Sequence, residues 1–194
     1  MNARSFTKLA IGSICALALV GCASPAFFSV GGTIPTQDQT KVGPKYKANF
    51  VGFFNACSLS NPYGHITYHD KYATEGEVRL EGLVEDGAEC VDFGLGLDLG
   101  CSLCQEVIEA NIGDFDFPEQ GYLGYARIHY RSQDSKAGYS PNNGTAYLCV
   151  ADFGEGANAF DSDYLLISVT SGPYEGYFNV GAVQGNIQQE ECVD

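Results

Sequence analysis

The side chains with most scope for chemistry are acids, cysteines and histidines. The run Asp152-Phe-Gly-Glu155-Gly-Ala-Asn158-Ala-Phe-Asp161-Ser-Asp163 places five hard oxygen donors on a glycine-rich turn between two strand-like segments. Asp152, Glu155, Asn158, Asp161 and Asp163 are therefore the candidate metal ligands, and calcium is the cation such donors suit. The spacing is not that of an EF-hand, and a solvated acidic hairpin loop is the alternative. Asp114 and Asp116 form a second acidic loop. No other cofactor is expected.

His65 and His69 stand four apart. On a helix they would share a face, but in a strand at about 3.3 Å per residue they lie roughly 13 Å apart, too far for one metal. Cys101-Ser-Leu-Cys104 is a C-x-x-C. Redox use of such a pair needs a thiol activated by a cation or a helix N-terminus. Here Gln105, Glu106 and Glu109 follow, with no base close by. Zinc, with Cys90 or Cys149 completing the set, is another alternative. The chain has no G-x-S-x-G, no H-E-x-x-H and no evident triad. Gly94, Gly96 and Gly100 do not space as a dinucleotide fingerprint. No catalytic residue is assigned, and a non-enzymatic protein is the expectation.

Cys22 is different from the other cysteines. It follows Arg4, Lys8 and the apolar run of residues 9–20, which is too short to span a bilayer and reads as a secretory signal. The signal ends Leu19-Val20-Gly21-Cys22, which resembles the bacterial lipobox. That resemblance implies a diacylglycerol on the Cys22 thiol, cleavage before it, and a palmitate-type acylated N-terminus as the membrane partner. Ala23, rather than Asp, after the cysteine implies the outer membrane over inner-membrane retention. Cys15 leaves with the signal. Cys57, Cys90, Cys101, Cys104, Cys149 and Cys192 remain, and an even set in an oxidising compartment predicts three disulfides with connectivity open.

Composition narrows the class further. The 24 acids all lie after the signal, against eight remaining bases. Such a balance argues against nucleic acid as a partner. Tyr and Phe number twelve each, Gly 24, and Trp is absent. Period-two alternation recurs. Ala48, Phe50 and Phe54 share one face, and Ile66 and Tyr68 oppose His65, Thr67 and His69. Val78 and Leu80 alternate with Arg79 and Glu81, and Ala126, Ile128 and Tyr130 share a face. Residues 145–153, 163–170 and 174–181 read as further strands. Residues 104–112 fit a strand or a short helix. The expected fold is all-β, an antiparallel β-sandwich or flattened barrel stapled by disulfides. The expected organisation is a signal over 1–21, a lipidated flexible tether over 22–43 and a single β-domain over 44–194.

One family resemblance extends beyond the signal. The segment ANFVGFFNACSLSNPYGHITYHDKYATEGEVRLEG, with Gly64, Ile66, Tyr68, Asp70, Val78, Leu80 and Gly82, resembles the opening of the post-COAP-1 type domain of bacterial secreted and surface proteins. AYLCVADFGEGANAFDSDYLLISV and YEGYFNVGAVQGNIQ resemble its later segments. The proline expected after Glu155 is missing, and residues 88–118 have no counterpart. The resemblance implies a compact extracellular β-domain and no defined activity. The expected function is a lipid-anchored envelope module that serves structure or adhesion through a protein or glycan partner. The alternatives are a carbohydrate-active or carbohydrate-binding domain using acids with Tyr63, Tyr68, Tyr125 and Tyr130, and a calcium-stabilised surface module.

Overall fold

The computed structural model describes residues 23–24, 26–58, 61–90, 99–112, 121–133, 144–154 and 162–192. In chain order the elements are β1 (Ala23–Ser24), β2 (Ala26–Pro35), β3 (Lys47–Asn55), β4 (Tyr63–Asp70) and β5 (Val78–Cys90). They continue with α1 (Leu99–Ile112), β6 (Tyr122–Ser132), β7 (Gly144–Asp152), β8 (Tyr164–Val169), β9 (Phe178–Ala182) and β10 (Gln184–Glu191). From β2 to β9 each strand pairs antiparallel with the next in sequence. β10 then pairs with β2. Because β9 and β10 are two halves of one C-terminal run broken at Val183, this change of partner brings the two sheet edges together. The result is a nearly closed up-and-down barrel, one continuous sheet rather than the two of a sandwich.

Alternation produces the barrel directly. Phe28, Val30, Phe54, Ile66, Leu80, Ile128, Leu148 and Leu165 point inward and are almost wholly buried. Each such side chain contributes roughly 1.5–3 kcal/mol on leaving water. The Phe28 and Phe54 rings stack with centroids 4.7 Å apart. Gly124 on β6 faces them, and a Cβ there would come within 2.7 Å of the Phe28 ring. The barrel is thus filled by its own side chains.

Two expectations change. The proposed tether is not a tether: residues 26–35 are a full barrel strand, paired with β3 on one side and β10 on the other. Ala26, Phe28, Val30 and Ile34 supply core, and the domain therefore begins before residue 44. The Gly-Ser-Thr content that suggests a linker has another cause. A Cβ on Gly32 would meet the Gln184 carbonyl oxygen at 2.7 Å, and one on Gly185 would meet that of Gly31 at 2.1 Å. These glycines let β2 and β10 approach closely.

The ambiguous run 104–112 belongs to a helix, α1. Cys104 and Ile108 recur at helical spacing, with Cys101 and Val107 beside them. They cover Leu123, Tyr125, Cys149 and Leu166 on the outer face of β6–β8, forming a second small core. The cysteines pair as Cys57–Cys192, Cys90–Cys101 and Cys104–Cys149. The last two fasten both sides of the first turns of α1 to the barrel, and the first ties the C-terminus to the β3–β4 turn.

Candidate functional site

Polar groups inside the barrel gather around Asp70, which is completely buried at the end of β4. Its Oδ1 accepts from the Thr36 hydroxyl at 2.6 Å and the Tyr72 NH at 3.0 Å. Its Oδ2 accepts from the Gln37 NH at 2.8 Å and the Tyr177 hydroxyl at 2.9 Å. The Tyr177 and Tyr68 hydroxyls lie 2.7 Å apart, and Asn179 Nδ2 donates to Tyr68 and to the Pro35 carbonyl, each at 2.9 Å. Burial pushes both phenols well above the ordinary tyrosine range, and for Tyr177 the neighbouring Tyr68 and Asp70 add to it. Both remain neutral hydrogen-bonding groups at physiological pH. The network fixes the β2–β3 and β4–β5 connections to the barrel end. It underlies a cleft of about 630 Å³ rimmed by Glu75, Glu77 and Glu175.

The described ends of the acidic loop, Asp152 and Asp163, bond main-chain amides. Asp152 Oδ1 and Oδ2 accept from the NH groups of Gly154 and Gln189, each at 2.8 Å. Asp163 Oδ1 and Oδ2 accept from those of Phe153 at 3.2 Å and Ile187 at 2.9 Å. Ile187 and Gln189 lie on β10, which has β2 on one side and has parted from β8 on the other. The two carboxylates therefore satisfy strand amides at the barrel seam. Glu155, Asn158 and Asp161 lie outside the described residues, as do Cys22, Asp114 and Asp116. Among the described residues no cluster of three or more metal-ligating side chains occurs.

Each histidine meets a carboxylate on the outer wall. His65 Nε2 lies 3.0 Å from Glu81, His69 Nε2 lies 2.7 Å from Glu77, and His129 Nδ1 lies 3.8 Å from Glu85. Glu81 also accepts from Arg131 Nε at 2.9 Å and Gln133 Nε2 at 2.6 Å. Arg131 above all, then His65 and Gln133, hold its carboxyl at about 2.

Tyr68, Tyr125 and Tyr130 are buried, while Tyr63 is 56% exposed. These four tyrosines therefore do not form a sugar platform together. Tyr63 instead ends an exterior row that sequence reasoning missed. Phe27 stacks on Phe53 at 6.0 Å, and Phe53 meets Tyr63 edge-on at 6.2 Å. Val51 and Leu83, 59% and 63% exposed, extend the row across β3–β5. Whereas α1 covers the outer face of β6–β8, this wall carries bare apolar side chains. The signal was readable: residues 50–54, FVGFF, place apolar groups on both faces of one strand.

A second missed feature is cationic. Lys41 and Lys45 in the β2–β3 loop, with Lys71 after β4, gather around Tyr46 and Tyr72. The two rings meet edge to face at 5.0 Å. Lys41, Lys45 and Lys71 ammoniums lie 5.9, 4.8 and 5.7 Å from the ring centroids. The Lys-Tyr-Lys and Lys-Tyr doublets at 45–47 and 71–72 were the available signal.

No family model, curated protein or solved structure matches this chain.

Proposed function

We propose that the protein is a lipid-anchored, non-enzymatic module of the bacterial outer membrane. On this reading the Phe27–Phe53–Tyr63 wall rests against the membrane surface, and the far end of β2 is free to bind. The position of β1 carries the reading. Ala23 pairs with Cys90 on β5, immediately after the proposed acyl site at Cys22. One residue spans about 3.8 Å between Cα atoms. An acyl group on Cys22 would thus emerge at the barrel itself, with no slack chain to lift it away. β1 pairs with Glu89 and Cys90 of β5, beyond the end of the β4–β5 ladder at His65 and Leu83, so on this reading the anchor leaves the chain near the exposed Tyr63 and Leu83. Acyl chains supply most of the membrane affinity, and the aromatic wall sets orientation. The hydrogen bonding of Asp70, Asp152 and Asp163 through both carboxylate oxygens supports a structural role for these three acids.

Two measurements test the two parts separately. Cys22→Ala should move the protein from membrane to soluble fractions, and continued membrane retention refutes the anchor. Because the chain has no Trp, Phe53→Trp gives a single reporter for the seating. In vesicles of brominated phosphatidylcholine the acylated Phe53→Trp variant should show quenched indole emission. Phe178→Trp, on β9 beside the β8–β9 turn, should not. Equal quenching at both positions, or at neither, refutes the orientation while leaving the anchor intact.

A further inference from the structure

A groove of about 600 Å³ lies on the barrel exterior where the C-terminal run switches from β8 to β2, under the β2–β3 loop. The chain carries 24 acids against ten bases. Yet among the described residues lining this groove no carboxylate occurs, while Lys41 and Lys47 do. The two lysines differ. Lys41 is committed to the loop, donating to the Tyr72 carbonyl at 2.8 Å and pairing with Asp38 at 3.0 Å. Lys47 donates to the neutral side-chain oxygen of Gln184. Among the described residues no carboxylate pairs with it. Among the described residues it is therefore an ammonium without a counter-charge, lining a cavity that Lys41 also lines.

The rest of the lining describes the ligand. Thr33, Gln39 and Gln184 offer hydroxyl and amide groups, and Pro35, Pro44 and Tyr46 offer flat apolar surface. An aliphatic acid would leave the amides and hydroxyls without partners. A bare inorganic anion would leave the apolar surface unused. A sugar ring bearing an acidic group uses all three: its C–H face against proline and tyrosine, its hydroxyls on the amides, its anion on Lys47. The site is also preorganised. Thr36 and Gln37, at the base of the loop, are held by the buried Asp70, and Gln37 Oε1 accepts from the Thr74 NH at 3.0 Å. A loop fixed before binding loses little entropy on closing around a ligand.

We propose that this groove binds an acidic saccharide, with Lys47 as the residue that recognises the anionic group. Binding here is independent of the membrane anchor and is read on purified protein.

The test is calorimetric titration of the full chain in neutral detergent micelles with three probes: an oligoglucuronate, glucose 6-phosphate and a neutral gluco-oligosaccharide. The expected result is binding of at least one acidic probe, weakened by added salt, with the neutral sugar at least about tenfold weaker. Lys47→Gln should weaken binding by about tenfold or more, the scale of one lost charge-assisted hydrogen bond, and Lys47→Arg should restore most of it. Lys71→Gln, outside the groove, should leave affinity within about twofold. Preference for oligoglucuronate or for glucose 6-phosphate identifies the anion as carboxylate or phosphate, and both support the site. Binding of none of the probes, equal affinity for the neutral sugar, or unchanged affinity in folded Lys47→Gln overturns it.

Discussion

The Tyr177 hydroxyl donates to Asp70 Oδ2 at 2.9 Å, joining the β8–β9 turn to the end of β4 across 107 residues. Asp70 is the acceptor for four donors, two side-chain hydroxyls and two main-chain amides. Removing it strands all four in a water-poor site, and each buried unsatisfied group costs about 1–3 kcal/mol. Asp70→Ala should therefore lose about 3 kcal/mol or more in urea denaturation. Tyr177→Phe leaves Asp70 with three donors and should lose only about 1 kcal/mol. Equal losses from the two variants would contradict the hub.

Asp152 and Asp163 predict a local effect at the seam. Asp163→Ala removes the acceptor for the Ile187 amide, and Asp152→Ala removes that for Gln189. Hydrogen exchange at those two amides should quicken in the corresponding variant, while exchange across the β3–β4 ladder stays at its wild-type rate. Uniform acceleration over the whole barrel would mean that the two acids support global stability and not the seam. Since both carboxylates are already bonded through both oxygens, calcium or a chelator should leave the melting temperature unchanged. A calcium-dependent rise would support the cation reading of this loop.

The disulfides should differ in weight. Cys57–Cys192 closes a sequence separation of 135, and Cys90–Cys101 one of 11. Restriction of the unfolded chain grows with loop length, which gives about 4–5 kcal/mol for the long link and about 3 kcal/mol for the short one. The paired Cys57→Ser/Cys192→Ser variant should thus unfold at lower denaturant than Cys90→Ser/Cys101→Ser. The reverse order would show that fastening α1 matters more than closing the chain.

Strand identity was legible where one face is apolar and the other polar. His65, Thr67 and His69 against Ile66 and Tyr68 announce β4, and Arg79 and Glu81 against Val78 and Leu80 announce β5. β2 was illegible because Gly31, Gly32 and Thr33 interrupt its apolar period. Gly32 serves a contact with β10, about 150 residues away, that no local pattern encodes. α1 was half-legible. Cys101, Cys104 and Ile108 have helical spacing, but in a chain of strands the alternation of Val107, Glu109 and Asn111 competes with it. The roles of Asp152 and Asp163 depend on where β10 runs, so their residue types suggest a cation while their positions supply amides. The lysine groove likewise forms only when the β2–β3 loop meets Gln184.

Glu81 yields a pH-dependent prediction. It accepts from β6 through Arg131, from β4 through His65 and from Gln133, so one carboxylate links three segments of the outer wall. Its folded pKa of about 2 lies below the unfolded value near 4.5. A group depressed in this way stabilises the fold above the unfolded pKa, and the gain is lost as pH falls through the folded one. Its contribution should be complete above pH of about 5 and gone near about 2. The side chain is partly solvated, so Glu81→Gln should cost only about 1 kcal/mol at neutral pH. The difference between wild type and variant should shrink steadily as pH falls from about 4.5 to about 2, and should also shrink in 1 M salt, where the Debye length is about 3 Å. A difference that stays constant over that pH range would assign the effect of the substitution to packing on the wall and not to the charge of Glu81.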